Sequence, residues 1–234
     1  MSRGRIDVYL DLASMFSYVC FVDLQRNLEK LTANAVEVEF HPIFLGGINN
    51  LSGNKPPWTL EAKAKYLVFD GKRAADRVGI TYQTPDDLFE RAKTQSALRA
   101  LLFIKAEYPK GIFLSALHFL FYKFWTPPNA DVVDEDNLKA LLLEATEIPG
   151  HGAKLFTDDD VQRILKGRSK MKQELVQNTG KVVATGAFGC PWIIATNSKG
   201  VSEPFFGSDR FNHIYAFLGV EFQDIEVLQA RPKI

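Results

Sequence analysis

The sequence predicts an α/β protein in which one sheet domain carries a large all-helical insertion. Three observations lead there. The chain opens on a strand–helix–strand pattern, it closes on two strands and a helix, and residues 59–180 show helical periodicity without a convincing strand.

Residues 6–12 alternate with period two. Ile6, Val8, Leu10 and Leu12 face one way and Asp7, Tyr9 and Asp11 the other, which describes a strand with one apolar face. Phe16, Val19, Cys20, Leu24 and Leu28 then recur at helical spacing, with Ser14 placed to cap the helix. Val36, Val38, Phe40 and Pro42 alternate with Glu37, Glu39 and His41 as a second strand. Two strands joined this way should be parallel, with a right-handed crossover.

Gly46-Gly47 and the polar stretch 49–57 break the pattern and read as a loop. Helices are expected over 61–78 and over 85–108, the latter with Thr84 as N-cap and Pro85 in the first helical position. Further helices are expected over 112–125, 134–146 and 157–180, the last broken near Gly167. The Leu/Phe stripe at 112–125 reads as a buried helix core. Trp192 to Thr196 and Val201 to Phe206, joined by Asn197-Ser198-Lys199-Gly200, read as an antiparallel hairpin. Ser208-Asp209 then opens a last amphipathic helix with Phe211, Ile214, Tyr215, Phe217 and Leu218, closed by Gly219. The division expected is 1–58 with 168–234 as the sheet domain and 59–167 as the insertion.

Composition narrows the function. The chain has 28 Lys+Arg against 28 Asp+Glu, so bulk charge gives no reason to expect nucleic acid or an anionic membrane as partner. Two cysteines supply neither a disulfide framework nor a Cys-rich zinc site, and point to an intracellular, reducing compartment. His41, His118, His151 and His213 show no metal-ligand spacing, so no metal is expected. Residues 1–5 run straight into the first strand and leave no room for a signal peptide. The apolar window 112–125 is short of the ~20 residues that span a bilayer. The ending Arg231-Pro232-Lys233-Ile234 is not a Ser-Lys-Leu-type peroxisomal address.

Four local features could carry chemistry. Ser14-Met15-Phe16-Ser17 lies where a strand gives way to a helix, and the free N–H groups and positive dipole end there suit an anion such as a thiolate. Capping alone would also explain Ser14. Phe188-Gly189-Cys190-Pro191 precedes a strand, where a cis proline would turn the preceding backbone groups outward, or an ordinary turn would form. Ser208-Asp209 sits at a helix start, where capping competes with recognition of a zwitterionic amino-acid end. The loop Ser52-Gly53-Asn54-Lys55-Pro56-Pro57 offers an amide and an ammonium group.

Those motifs, together with Asp11-Leu12-Ala13-Ser14, Gly46-Gly47-Ile48, Gly186-Ala187 and Phe206-Gly207-Ser208-Asp209-Arg210, occur in an order that resembles the kappa-class glutathione transferases. The related 2-hydroxychromene-2-carboxylate isomerases and bacterial disulfide oxidoreductases share the pattern. The resemblance covers almost the whole chain and implies a thioredoxin-like fold with a helical insertion. It implies Ser14 as the catalytic serine that favours the glutathione thiolate, with Met15 and Phe16 beside it. It implies Asn54, Cys190 before cis-Pro191, and Ser208 with Asp209 as glutathione contacts, and Lys63 and Asp70 as further glycyl-end or cross-subunit contacts. It also implies a homodimer, a role in detoxification, and a mitochondrial address, with peroxisomal or cytoplasmic alternatives.

In the family the helix start usually reads Ser-Pro-Tyr-Ser. Here Met15 and Phe16 replace proline and tyrosine, and Cys190 stands where an aliphatic residue is common. Ser14 and Ser17 occupy the Cys-x-x-Cys spacing, which argues against ordinary disulfide exchange. The expected activity is attack by bound glutathione on electrophiles such as halogenated aromatics, with hydroperoxide reduction as a second activity. Glutathione-dependent isomerisation and a non-catalytic chaperone or scaffold role are the rivals. Trp58, Tyr66, Phe113 and Phe119 are the expected lining of a pocket for a small apolar electrophile. Cys190 is a candidate for a mixed disulfide with glutathione.

Overall fold

The computed structural model describes residues 4–225; the basic start and the ending at Arg231 to Ile234 lie outside the described residues in whole or in part. Strand β1 (Gly4–Leu10) leads into α1 (Met15–Ala33), and β2 (Val36–Pro42) returns beside β1 in parallel. At the other end of the chain β5 (Trp192–Asn197) and β6 (Ser202–Phe206) form the expected hairpin, followed by α10 (Phe211–Leu218). β5 pairs antiparallel with β1, so the sheet order is β2-β1-β5-β6.

Alternation decides which face is buried. Ile6, Val8 and Leu10 are fully buried on one side of β1, level with Val38 and Phe40 of β2 and with Ile193 and Ala195 of β5. This face shares one apolar core with α1, α10 and the helical block. Aromatic rings join the layers: Phe21 of α1 meets Phe40 edge-on at 5.1 Å, and Tyr18 stacks on Phe121 at 5.1 Å. The opposite face carries a smaller cluster around Ile43, Ile48, Val182 and Trp192.

Between the two halves the chain is almost all helix. α2 (Leu45–Ser52) and a 3-10 turn at Pro57–Thr59 precede α3 (Glu61–Arg77), α4 (Leu88–Arg91), α5 (Gln95–Glu107), α6 (Lys110–Trp125) and α7 (Glu135–Glu144). A small hairpin, β3 (Thr146–Ile148) with β4 (His151–Lys154), comes next. α8 (Asp158–Gly167), a 3-10 turn at Arg168–Met171 and α9 (Lys172–Ala184) complete the block.

Five expectations are corrected. Gly46-Gly47 lie inside a helix and are needed for close packing, since a Cβ on Gly46 would meet the Phe44 ring at 2.6 Å and one on Gly47 would meet Thr179 at 3.0 Å. Close approach requires them there, and no loop does. The single helix expected over 85–108 is two, since the chain breaks at Ala92–Thr94 and the Thr94 hydroxyl is turned to Asp11. The helical block holds the β3–β4 hairpin, whose turn carries Gly150 at φ +79°. Asp11 is wholly buried and lies beyond the end of β1, so it does not share the outer face of Asp7 and Tyr9. Ser208 and Asp209 precede α10, whose N-cap is Arg210, and neither side chain caps it.

The break near Gly167 is present, and close packing there requires a glycine. A Cβ at Gly167 would meet the Phe103 ring at 2.1 Å, and Phe103 is itself held in the core. Gly167→Ala should therefore lower the melting temperature by about 3–8 °C, as overpacking of this kind costs about 1–3 kcal/mol. A thermal scan by circular dichroism checks it, and an unchanged midpoint would show that Phe103 moves freely aside.

Candidate active site

The turn between β1 and α1 is held by hydrogen bonds from several elements. Asp11 Oδ1 accepts the Ala13 N–H at 3.0 Å and the Thr94 hydroxyl at 2.7 Å, while Oδ2 accepts the Leu45 N–H at 2.7 Å. The Asp11 carbonyl accepts the Ser14 N–H at 3.1 Å, and the Leu12 carbonyl accepts the Trp125 indole N–H at 2.8 Å. One buried carboxylate thus ties together the turn, the start of α2 and the start of α5. Burial pushes the Asp11 carboxyl up to about 6, against the pull of these donors.

Ser14 caps α1 as its sequence position suggests. Its Oγ accepts the Ser17 N–H at 3.1 Å, and its hydroxyl donates to the carbonyl of Cys190 at 3.1 Å. The Cys190–Pro191 bond is cis. Across the opening, the Asn54 amide donates to the Phe188 carbonyl at 2.6 Å, and Arg77 reaches the Ser208 carbonyl at 3.4 Å.

These groups surround one cavity of about 790 Å³, in the upper part of the ~300–1,000 Å³ range usual for small-molecule sites. Ser14, Met15, Phe16, Asn54, Asp70, Cys190, Ser208 and Asp209 all line it. Pro191 is buried behind Cys190, and Lys63 is exposed on α3 outside the lining. Of the expected apolar wall, Trp58 lines the cavity and Tyr66 does not, standing 56% exposed. Phe113 and Phe119 are corrected to core residues, since both are fully buried in α6. Trp125 and Phe206 take their place in the wall.

Cys190 does not offer an activated thiol. Burial, and then the neighbouring Asp11 carboxylate, push its pKa well above the usual range. Mixed-disulfide chemistry needs the opposite. Among the described residues no group of three or more His, Cys, Asp or Glu could hold a metal ion, and no helix is long and apolar enough to cross a membrane.

Residues 5–219 match the family model described as a DSBA-like thioredoxin domain. Glutathione S-transferase kappa 1 of Caenorhabditis elegans is 31% identical over 214 residues, covering 90% of this chain and 88% of the relative. The chain belongs to the kappa-class glutathione transferase family. The human protein of the same name is 27% identical, over 92% of this chain and 90% of its own. A solved 2-hydroxychromene-2-carboxylate isomerase structure aligns with a TM-score of 0.69 at 19% identity, over 92% of this chain and 94% of its own, and shows the shared fold.

Besides Trp125 and Phe206, three charged residues of this site escaped the sequence reading. Asp11 looked like an outward strand residue, although an Asp two positions before an acceptor-seeking N–H is the pattern of an Asx turn. Arg73 and Arg77 line the cavity from α3, and their spacing of four puts both on one helix face.

The raised Asp11 pKa sets a direction for stability. The folded state holds this proton more tightly than the unfolded chain, so the group stabilises the fold fully below its ordinary value of 3.8. That contribution is lost as pH rises through about 6. Denaturant unfolding of the parent should thus weaken relative to Asp11→Asn between about pH 4 and 6 and run parallel to it above. A constant offset at every pH would refute the assignment.

Proposed function

We propose that the protein is a glutathione transferase that activates bound glutathione as thiolate for attack on apolar electrophiles such as halogenated aromatics. Ser14 carries this reading: a hydroxyl at the positive end of a 19-residue helix, on the wall of the cavity and opposite the Cys190 carbonyl. An unperturbed thiol titrates near ~8.5 and is only a few per cent ionised at neutral pH. A helix N-terminus and a hydroxyl donor both favour the anion.

The arrangement suits a simple exchange of partners. Rotation about the Ser14 Cβ–Oγ bond moves the hydroxyl proton from the Cys190 carbonyl to a sulfur, while the Ser17 N–H continues to hold Oγ. The Cys190 carbonyl is then open to the N–H of the cysteinyl unit. Asn54 supports the tripeptide from the opposite rim, Ser208 and Asp209 take the γ-glutamyl end, and Asp70 lies on the α3 wall. The thiolate attacks the ring carbon that bears the halogen. The C–S bond forms, halide leaves with the bonding electrons, and the thiol proton passes to solvent. Met15, Phe16, Trp58, Trp125 and Phe206 give the co-substrate an apolar surface.

The same thiolate serves hydroperoxide reduction, in which sulfur takes the terminal oxygen, an alcohol leaves and a second glutathione gives the disulfide and water. Titration of the near-ultraviolet thiolate absorbance of bound glutathione should give an apparent pKa below ~8.5 in the parent, moving up in Ser14→Ala. Turnover of a halogenated aromatic should fall about 10- to 100-fold in the variant. An identical titration in the two proteins would remove Ser14 from this role. Assay of a chromene carboxylate alongside separates transferase from isomerase.

A homodimer is the proposed assembly, supported by the family and by the outward Tyr66, Val68 and Phe69 of α3, each more than half exposed. Sedimentation should give a dimer for the parent and a monomer for Phe69→Asp. A monomeric parent at micromolar concentration would rule the assembly out.

A further inference from the structure

We infer that Arg73 is the carboxylate-binding residue of the cavity, an assignment that rests on the proposed glutathione site and identifies what reads the negative end of its ligand. Three arginines contribute to the cavity lining: Arg73, Arg77 and Arg210. Arg77 is ion-paired with Asp23 and also donates to the Ser208 carbonyl. Arg210 is ion-paired with Asp209. Arg73 is exposed and lies over the Phe69 ring, 6.0 Å from its guanidinium carbon to the ring centroid, and among the described residues no carboxylate lies within ion-pair distance of it.

The three are therefore not equivalent. A carboxylate entering beside Arg77 or Arg210 would compete with a carboxylate already there. Beside Arg73, which stands exposed at the cavity's edge, it meets a cation that no carboxylate of the described residues pairs with, so a charge-assisted pair forms without displacing one. The guanidinium fork also matches a carboxylate bidentately.

Position selects the ligand group. Arg73 lies one helical turn from Arg77 on the same face of α3, and Arg77 touches the Ser208 carbonyl. Arg73 thus stands near the Ser208-Asp209 turn, the end proposed for the γ-glutamyl unit, whose α-carboxylate is the expected partner. The glycyl carboxylate of glutathione and a carboxylate on the electrophile share the chemistry. Lys63, which the resemblance associates with the glycyl end, is outside the cavity wall.

Calorimetric titration of the full chain with glutathione, γ-glutamylcysteine and cysteinylglycine tests this in the parent, Arg73→Gln and Arg73→Lys. KM is measured in parallel for a neutral and a carboxylate-bearing haloarene. Arg73→Gln should bind glutathione about tenfold more weakly, as expected for one charge-assisted hydrogen bond, with an unchanged melting temperature. Arg73→Lys should recover part of the loss. Cysteinylglycine, which lacks the γ-glutamyl carboxylate, should bind the parent and Arg73→Gln alike.

A loss that persists with cysteinylglycine and vanishes with γ-glutamylcysteine supports the anchor and assigns it to the glycyl carboxylate. A raised KM for the charged haloarene alone supports the anchor and assigns it to the co-substrate. Equal binding and equal KM throughout would overturn the inference. So would a loss in Arg73→Gln that is the same for all three peptides, which marks a long-range charge effect. A parent that binds no glutathione refutes the proposed function itself, and this is read before any variant is compared.

Discussion

One buried carboxylate sets the geometry of this molecule. Asp11 has no solvent contact and holds three donors from three elements: the N–H of Ala13, the N–H of Leu45 at the start of α2, and the hydroxyl of Thr94 at the start of α5. Those elements lead to the parts of the cavity wall. The turn presents Ser14, α2 runs to the loop that carries Asn54, and α5 belongs to the block that carries α3. A buried charge is costly unless its hydrogen-bonding capacity is filled, and filling it here fixes the relative placement of the three.

The same carboxylate shapes the chemistry around it. Its negative charge beside Cys190 opposes ionisation of that thiol, so the cavity contains no activated sulfur of the protein's own. The positive end of α1 points to Ser14, whose hydroxyl cannot ionise at neutral pH but can donate to an anion that arrives. This is the arrangement of a thioredoxin-type scaffold that takes its sulfur from a ligand. The proposed function uses this arrangement, with polar groups of the wall to orient the ligand and its aromatic and thioether surface for the apolar partner.

Much of this was legible in the chain. Period-two alternation marked β1 and β2, because one side of each faces a core, and the turn Asn197-Ser198-Lys199-Gly200 between two short runs marked the β5–β6 hairpin. The cap read at Ser14 marks a real helix start, since its side chain satisfies an N–H group that has no partner within the helix. The failures have equally local causes. Gly46-Gly47 read as a breaker because the intrinsic preference of glycine says nothing about the Phe44 ring and Thr179 that crowd the helix. The helix expected over 85–108 ignored the tertiary bond that takes the Thr94 hydroxyl. The β3–β4 hairpin was announced only by Pro149-Gly150, a turn signal inside a helical context.

The sequence by itself determined the strand and helix pattern, the family, and most of the residues around the cavity, since each is written in short-range spacing and in ordered motifs. Tertiary structure alone decided that Asp11 is buried, that Phe113 and Phe119 belong to the core, that Lys63 stands clear of the wall and that Arg73 belongs to it without an ion pair. The reason is physical. Periodicity tells which residues share a face, whereas burial and charge pairing depend on what another element brings against that face. The partners of Asp11 and Arg77 come from segments far away in the chain, 83 residues in the case of Thr94 and 54 in that of Asp23.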